Sequence, residues 1–223
     1  RFLKSNISIF NIKLNFKLII KEINSGLIVK TQDYKIYAKK ANHSIFNYSY
    51  VFIESDRPGK FYVSKAKKLG IPEGSLWSKL QSGHSIRYNG KSVRPTDVMG
   101  KSRPGRKIGI SGDTRPSKSL THFFSSCDIL IHESTFSNDQ QDLAIERFHS
   151  TSTEAANVAK ESSSTILILT HFSSRYNDVK LLEKQACKVH RNTIAGRDFM
   201  TFTVPYRDEK RLTKSYILEQ TSQ

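Results

Sequence analysis

The sequence predicts a layered α/β protein carrying a basic insertion. Strand-type segments fill the first 58 residues. From Lys107 onward, short apolar runs alternate with helical patterns. Between these regions lies a stretch poor in long apolar runs and rich in Lys and Arg. The 223 residues suffice for one large domain, with or without an appendage.

The elements follow in chain order. Over 7–20, Ile7, Ile9, Ile12, Leu14, Phe16 and Leu18 alternate largely with polar or Lys positions, which predicts a strand. Gly26 marks a turn, and 27–31, 34–39 and 48–54 read as further strands of antiparallel type. Residues 1–58 are thus expected to form a strand-rich part of the main domain. Asp56-Arg57-Pro58-Gly59 breaks the pattern. Within 59–107, residues 63–69 and 75–81 read as short helices, Asn89-Gly90 as a hairpin turn, and Arg103-Pro104-Gly105 as a close. This segment is expected to bury little surface and to project as a flexible arm. Residues 108–211 read as the α/β remainder. Strands fall over 107–110, 128–132, 165–169 and 199–204, and helices over 117–125, 139–148, 154–162 and 179–188. Thr151 and Glu154 are spaced as a capping box opening the third of these helices. Residues 212–223 are polar and read as a loose tail.

Charge is distributed unevenly. The net +16 divides into +6 on residues 1–58, +10 on 59–108 and zero on 109–223. A local cationic field of this kind suits a polyanion, nucleic acid first; a solvated face is the plain alternative. An acidic membrane surface fits less well, because the cations do not lie along an amphipathic helix. No window approaches the roughly 18 apolar residues of a membrane span, and Arg1–Phe10 lacks a signal-peptide pattern. Cys127 and Cys187 have no metal-ligand spacing. They read as buried thiols of a reducing, cytoplasmic compartment.

Three polar groups stand at the C-terminal ends of apolar strands: Asp113, His132-Glu133 and His171. Layered α/β proteins place their sites there, where the strands fix position and the loops face solvent. A carboxylate and histidines so displayed are natural zinc ligands, although any one alone would more often be structural.

The wording of these segments adds a resemblance. Gly112-Asp113-Thr114, His132-Glu133-Ser134-Thr135-Phe136, His149-Ser150-Thr151 and Thr170-His171-Phe172-Ser173-Ser174-Arg175-Tyr176 resemble, in order and spacing, the GDT, HEATF, HST and THxSxRY patterns of the ribonuclease Z branch of the metallo-β-lactamase fold. Asn42-His43-Ser44, followed by Tyr50 and Arg57-Pro58-Gly59, resembles the segment holding another of the family's metal histidines. The resemblance covers about residues 20–205 and implies the C-terminal two-thirds of an αββα sandwich with an inserted basic arm. It also implies a zinc-dependent endonuclease that removes 3′ trailers from tRNA precursors and works as a homodimer.

Carried over residue by residue, the resemblance makes His43 a ligand of one zinc and His171 a ligand of the other, with Asp113 bridging the two ions of the complete site. Glu133 and His149 would protonate the leaving 3′ oxygen. Arg175 would be structural or face a phosphate. Lys60, Lys65, Lys67, Lys68 and Lys79 would hold tRNA phosphates, and Ile71 to Trp77 would form the arm's tip, with Gly74-Ser75 where the family has Gly-Pro. The family's HxHxDH motif does not precede His43, and its AxD motif reads Gly196-Arg197-Asp198. Three ligands for two metals are few, since zinc takes about four donors each. The chain as given is therefore expected to be an incomplete, inactive portion. Two other readings stand beside this one: a non-catalytic tRNA-binding relative, and a hydrolase of small esters or phosphodiesters on the same fold.

Overall fold

The computed structural model describes residues 2–10, 13–208 and 217–218. The chain opens with a helix, α1 (Phe2–Ile9), and residues 13–25 are irregular. The strand predicted over 7–20 is not formed; its residues 11 and 12, including Ile12, lie outside the described residues. Leu14, Phe16, Leu18, Ile19 and Ile20 are exposed, and no described strand pairs with them. Apolar alternation becomes a strand only where a neighbour takes up the backbone N–H and C=O groups.

The next three predicted strands form as expected. β1 (Gly26–Lys30), β2 (Tyr34–Lys40) and β3 (Tyr48–Glu54) make an antiparallel meander, in register from Tyr34 opposite Glu54 to Lys40 opposite Tyr48. The chain then leaves the sheet through a two-stranded neck in which Arg57 and Arg103 exchange backbone hydrogen bonds of 2.8 and 2.9 Å. Gly59 is required in this neck, because a Cβ there would lie 1.9 Å from the Gly100 carbonyl oxygen.

The arm beyond the neck contains α2 (Val63–Lys68), α3 (Ser75–Gln81), β4 (Ile86–Tyr88), β5 (Lys91–Val93) and α4 (Pro95–Val98). Asn89 and Gly90, with φ of 48° and 74°, make the hairpin turn. The expectation of little buried surface was wrong. Ala66, Ile71, Trp77, Leu80, Ile86, Val93 and Val98 form a core of their own, and the Trp77 indole N–H donates to the Ile71 carbonyl at 3.0 Å.

Back in the body come β6 (Lys107–Ile110), α5 (Lys118–Phe123), β7 (Ile129–Glu133), α6 (Gln141–Glu146), α7 (Ser152–Glu161), β8 (Ile166–Thr170), α8 (Lys180–Cys187) and β9 (Thr193–Ala195). The sheet order is β1-β2-β3-β6-β7-β8-β9, antiparallel as far as β6 and parallel from there on. Alternation along the central strands separates two apolar faces. Val51, Leu130, Leu167 and Leu169 pack against Leu120, Phe124, Ala155, Ala156, Ala159 and Ala186 of the helical layer. Ile129, Ile166, Ile168 and Ile194 point the other way, with Met200, Phe202 and Val204 packed against them. Small Ala positions on α7 let that helix approach the sheet closely, and the Thr151–Glu154 capping box opens it as expected.

The predicted strand over 199–204 shrinks to β10 (Thr201–Phe202), which pairs with β11 (Ile217–Leu218). β11 lies within the expected loose tail; residues 212–216 and 219–223 of that tail lie outside the described residues. Just before it, Asp208 pairs with Arg57 and with Arg103, the latter at 2.9 Å. The Tyr206 ring lies under the Arg57 guanidinium, 3.2 Å from carbon to ring centre. The C-terminal segment therefore ties together both strands of the neck. No helix among the described residues is long and apolar enough to cross a membrane.

Candidate metal and catalytic centre

Parallel pairing of β6, β7 and β8 lines up their C-terminal ends on one edge, so that Asp113, Glu133 and His171 emerge side by side. β3 runs antiparallel to β6, so the loop before β3, carrying His43, reaches the same edge. The turn at Gly112, with φ of 58°, is braced by Asn47, whose amide donates to the Asp113 carbonyl at 3.1 Å. A Cβ on Gly112 would meet that amide nitrogen at 2.8 Å.

Glu133 is the buried centre of the site, with 2% of its surface exposed. Its Oε1 accepts from the Thr114 N–H at 3.0 Å and lies 2.9 Å from His149 Nδ1. Its Oε2 accepts from the Thr135 N–H at 3.1 Å and from the Thr135 hydroxyl at 2.8 Å. The same hydroxyl lies 3.2 Å from His149 Nδ1 and 2.9 Å from His171 Nδ1. His149 is held from behind as well, since its carbonyl accepts from Arg115 at 2.6 Å while Arg115 also pairs with Glu154.

Each of the three site histidines is tied at Nδ1. His43 Nδ1 donates to the Phe148 carbonyl at 2.9 Å, which leaves its Nε2 as a lone pair when the ring is neutral. The His43 and His149 rings lie 4.8 Å apart, and those of His149 and His171 stack at 5.2 Å. His171 Nε2 faces Asp113 Oδ1 at 3.5 Å. Two donors on a tetrahedral zinc at 2.0–2.1 Å stand roughly 3.3 Å apart, so this pair fits one cation. The donor atoms of His43, Asp113 and His149 lie within 4.8 Å of one another, as do those of Glu133, His149 and His171. The five residues to which the resemblance gives a metal or catalytic role, His43, Asp113, Glu133, His149 and His171, therefore lie in one place.

His132 does not join them. It is buried against Phe124 on the helical side, donates Nδ1–H to the Glu133 carbonyl at 2.7 Å, and burial holds its ring below the ordinary histidine pKa. Lys60, Lys65, Lys67, Lys68 and Lys79 are exposed on the arm and are not among the residues gathered at this edge. Arg175 caps the Phe136 ring at 5.1 Å and bonds Ser173 and Gln140. Thr135 and Arg115 were not singled out from the sequence, although Thr135 stands two positions after Glu133 and so shares its side of an extended segment.

No protein-family model matches the chain. Among curated proteins it is 44% identical over 203 residues to the ribonuclease Z of Nitrosopumilus maritimus, covering 91% of this chain and 68% of that one. The chain belongs to the ribonuclease Z family. The ribonuclease Z of Methanosarcina acetivorans is 42% identical over 201 residues, covering 90% of this chain and 65% of its own length. The chain thus spans about two thirds of the length of the ribonucleases Z it matches. Solved structures similar to it include the short form of human tRNase Z, at 22% identity, a TM-score of 0.49 and coverage of 80% of this chain and 45% of that one. A metallo-β-lactamase fold protein of Bacillus subtilis is similar at 18% identity and a TM-score of 0.48, over 75% of this chain and 48% of that one.

Proposed function

We propose that this ribonuclease Z relative is part of a metal-dependent endoribonuclease that removes 3′ trailers from tRNA precursors. The observation that carries the reading is the set of three histidines, each tied at Nδ1, gathered around Asp113 beside a buried Glu133. His43, Asp113 and His171 would hold two zinc ions, with Asp113 shared between them. Metal ions held there would supply an activated water and stabilise the charge on the oxygens of a phosphodiester. Glu133 orients His149 through Nδ1–H, and the doubly protonated ring would give its Nε2 proton to the leaving 3′ oxygen. The arm's exposed lysines would hold phosphates of the tRNA body, which position the RNA without reading its sequence. Following the family pattern, the active form would be a homodimer in which one subunit's arm serves the other's site, within a reducing compartment such as the cytoplasm.

The test is a 3′-extended tRNA precursor incubated with the complete gene product and Zn²⁺. Cutting near the discriminator base is expected, and its absence would end this reading. A non-catalytic tRNA-binding relative fits less well, because Asp113, Glu133, His149 and His171 are all in place. Deleting residues 60–106 should abolish tRNA binding and leave hydrolysis of a small phosphodiester intact; unchanged tRNA affinity would refute the clamp. Three donors fall short of the roughly four that zinc takes, so the 223-residue chain alone should bind Zn²⁺ weakly. A titration giving two tight equivalents would contradict this.

A further inference from the structure

We propose that Thr135 is a positioning residue: its single hydroxyl fixes the tautomers of His149 and His171 together, and so couples the proton donor to the metal ligand. This rests on the reading of His171 as a ligand through Nε2.

The argument is an accounting of protons. A hydroxyl has one proton to give and two lone pairs with which to accept. Thr135 Oγ1 has three partners: Glu133 Oε2 at 2.8 Å, His171 Nδ1 at 2.9 Å and His149 Nδ1 at 3.2 Å. Both Glu133 oxygens already accept backbone N–H groups, from Thr114 and Thr135, so the carboxylate is the acceptor at each of its contacts. The hydroxyl proton therefore goes to Glu133. Both histidines must then donate Nδ1–H, and His149 shares its proton between Thr135 and Glu133 Oε1 at 2.9 Å. For a neutral His171 this leaves the Nε2 lone pair turned toward Asp113 Oδ1, 3.5 Å away. Thr135 is nearly buried, at 6% exposure, so water cannot readily replace the hydroxyl. His171 also has a φ of 56°, an uncommon backbone state for a residue other than glycine, and the Thr135 contact at 2.9 Å ties its ring at Nδ1.

The test is a long-range ¹H–¹⁵N spectrum of the histidine rings in the metal-free protein, recorded at about pH 8. Wild type should show His171 as a single Nδ1–H tautomer. Thr135→Val, close in shape but without the hydroxyl, should give a mixture with the Nε2–H form. Its Zn²⁺ affinity should fall by about 10- to 100-fold, as for lost hydrogen bonds behind ligands. Thr135→Ser should restore both properties. A wild-type His171 that is mainly Nε2–H would overturn the proposal whether or not the Val variant folds. So would a Val variant with an unchanged tautomer, or a Ser variant behaving like Val. The spectrum needs neither metal nor RNA. No cleavage by the wild-type protein whose His171 shows the expected tautomer would count against the proposed function alone, and cleavage by a wild type with the other tautomer would count against Thr135 alone.

Discussion

Arg115 shows how a side chain outside the reaction shapes it. It bonds the His149 carbonyl and pairs with Glu154 at the mouth of α7. Burial by itself would raise the Glu154 carboxyl, but bonds from Arg115, the Thr151 N–H and Gln141 outweigh it and hold the group below its ordinary value of 4.5. Arg115→Met should cost about 2 kcal/mol in denaturant unfolding, less than a fully buried pair because both side chains keep some exposure. A carboxyl lowered in the folded state contributes fully above its unfolded pKa and loses that contribution as pH falls through the folded value. The deficit of the variant should therefore be present at neutral pH and shrink below pH 4.5; a deficit independent of pH would argue against the pair. The cysteines also separate at this scale. Burial pushes the Cys127 thiol up to about 12, whereas Cys187 is only half-buried, contrary to the expectation of two buried thiols. Iodoacetamide should label Cys187 of the native protein and spare Cys127 until unfolding, as followed by peptide mass spectrometry. Asp113, Glu133 and His171 were legible in the sequence because each stands at the end of an apolar run. Thr135 was not, because its meaning depends on the chain staying extended past β7 so that it shares a side with Glu133.

The arm is the element that the sequence described least well. Its helices and hairpin were visible, but its core was not, because Ala66, Ile71, Trp77, Leu80, Ile86, Val93 and Val98 are scattered singly and converge only once the turns are made. Trp77 is the one tryptophan of the chain, so its fluorescence reports on the arm. Trp77→Ala should destabilise the arm by about 3–5 kcal/mol, and Phe61 beside it, at 5.3 Å between ring centres, would lose its partner. Limited proteolysis within residues 61–99 should accelerate while the body stays resistant; equal protection would mean that the arm core contributes little. The strand error over 7–20 and the missed β9 have opposite causes. The first has the right alternation and, among the described residues, no paired strand. The second is three residues long, too short to show a period, yet Leu167, Ile168 and Leu169 of β8 supply a ready ladder.

Across the whole molecule, cationic charge and chemistry lie in separate parts of the chain. Residues 59–108 hold +10, while residues 109–223, which supply Asp113, Glu133, His149 and His171, are neutral. RNA affinity is therefore expected to follow salt steeply through counterion release, with the cleavage step much less sensitive. Replacing Lys65, Lys67, Lys68 and Lys79 together by Gln should flatten the slope of log affinity against log salt by up to about 3 units, at roughly 0.7–0.9 per phosphate contact; an unchanged slope would place the RNA elsewhere. The layered α/β plan was legible because short apolar runs such as 129–131 and 166–169 alternate with helical patterns. How the arm is mounted was not, since it depends on Arg57, Arg103 and Asp208, three residues far apart in sequence.

That mounting has a consequence for the order of events during synthesis. The arm's core lies within one continuous stretch of about forty residues and can close as soon as that stretch has emerged. Asp208, which ties the two strands of the neck, follows Arg103 by 105 residues. At about 5–20 residues per second this is a delay of roughly 5–20 s. A newly made arm can therefore form first on a neck held by its own backbone pairing and by Arg106 on Glu54, and gains the Asp208 tie only after the last part of the sheet has been made.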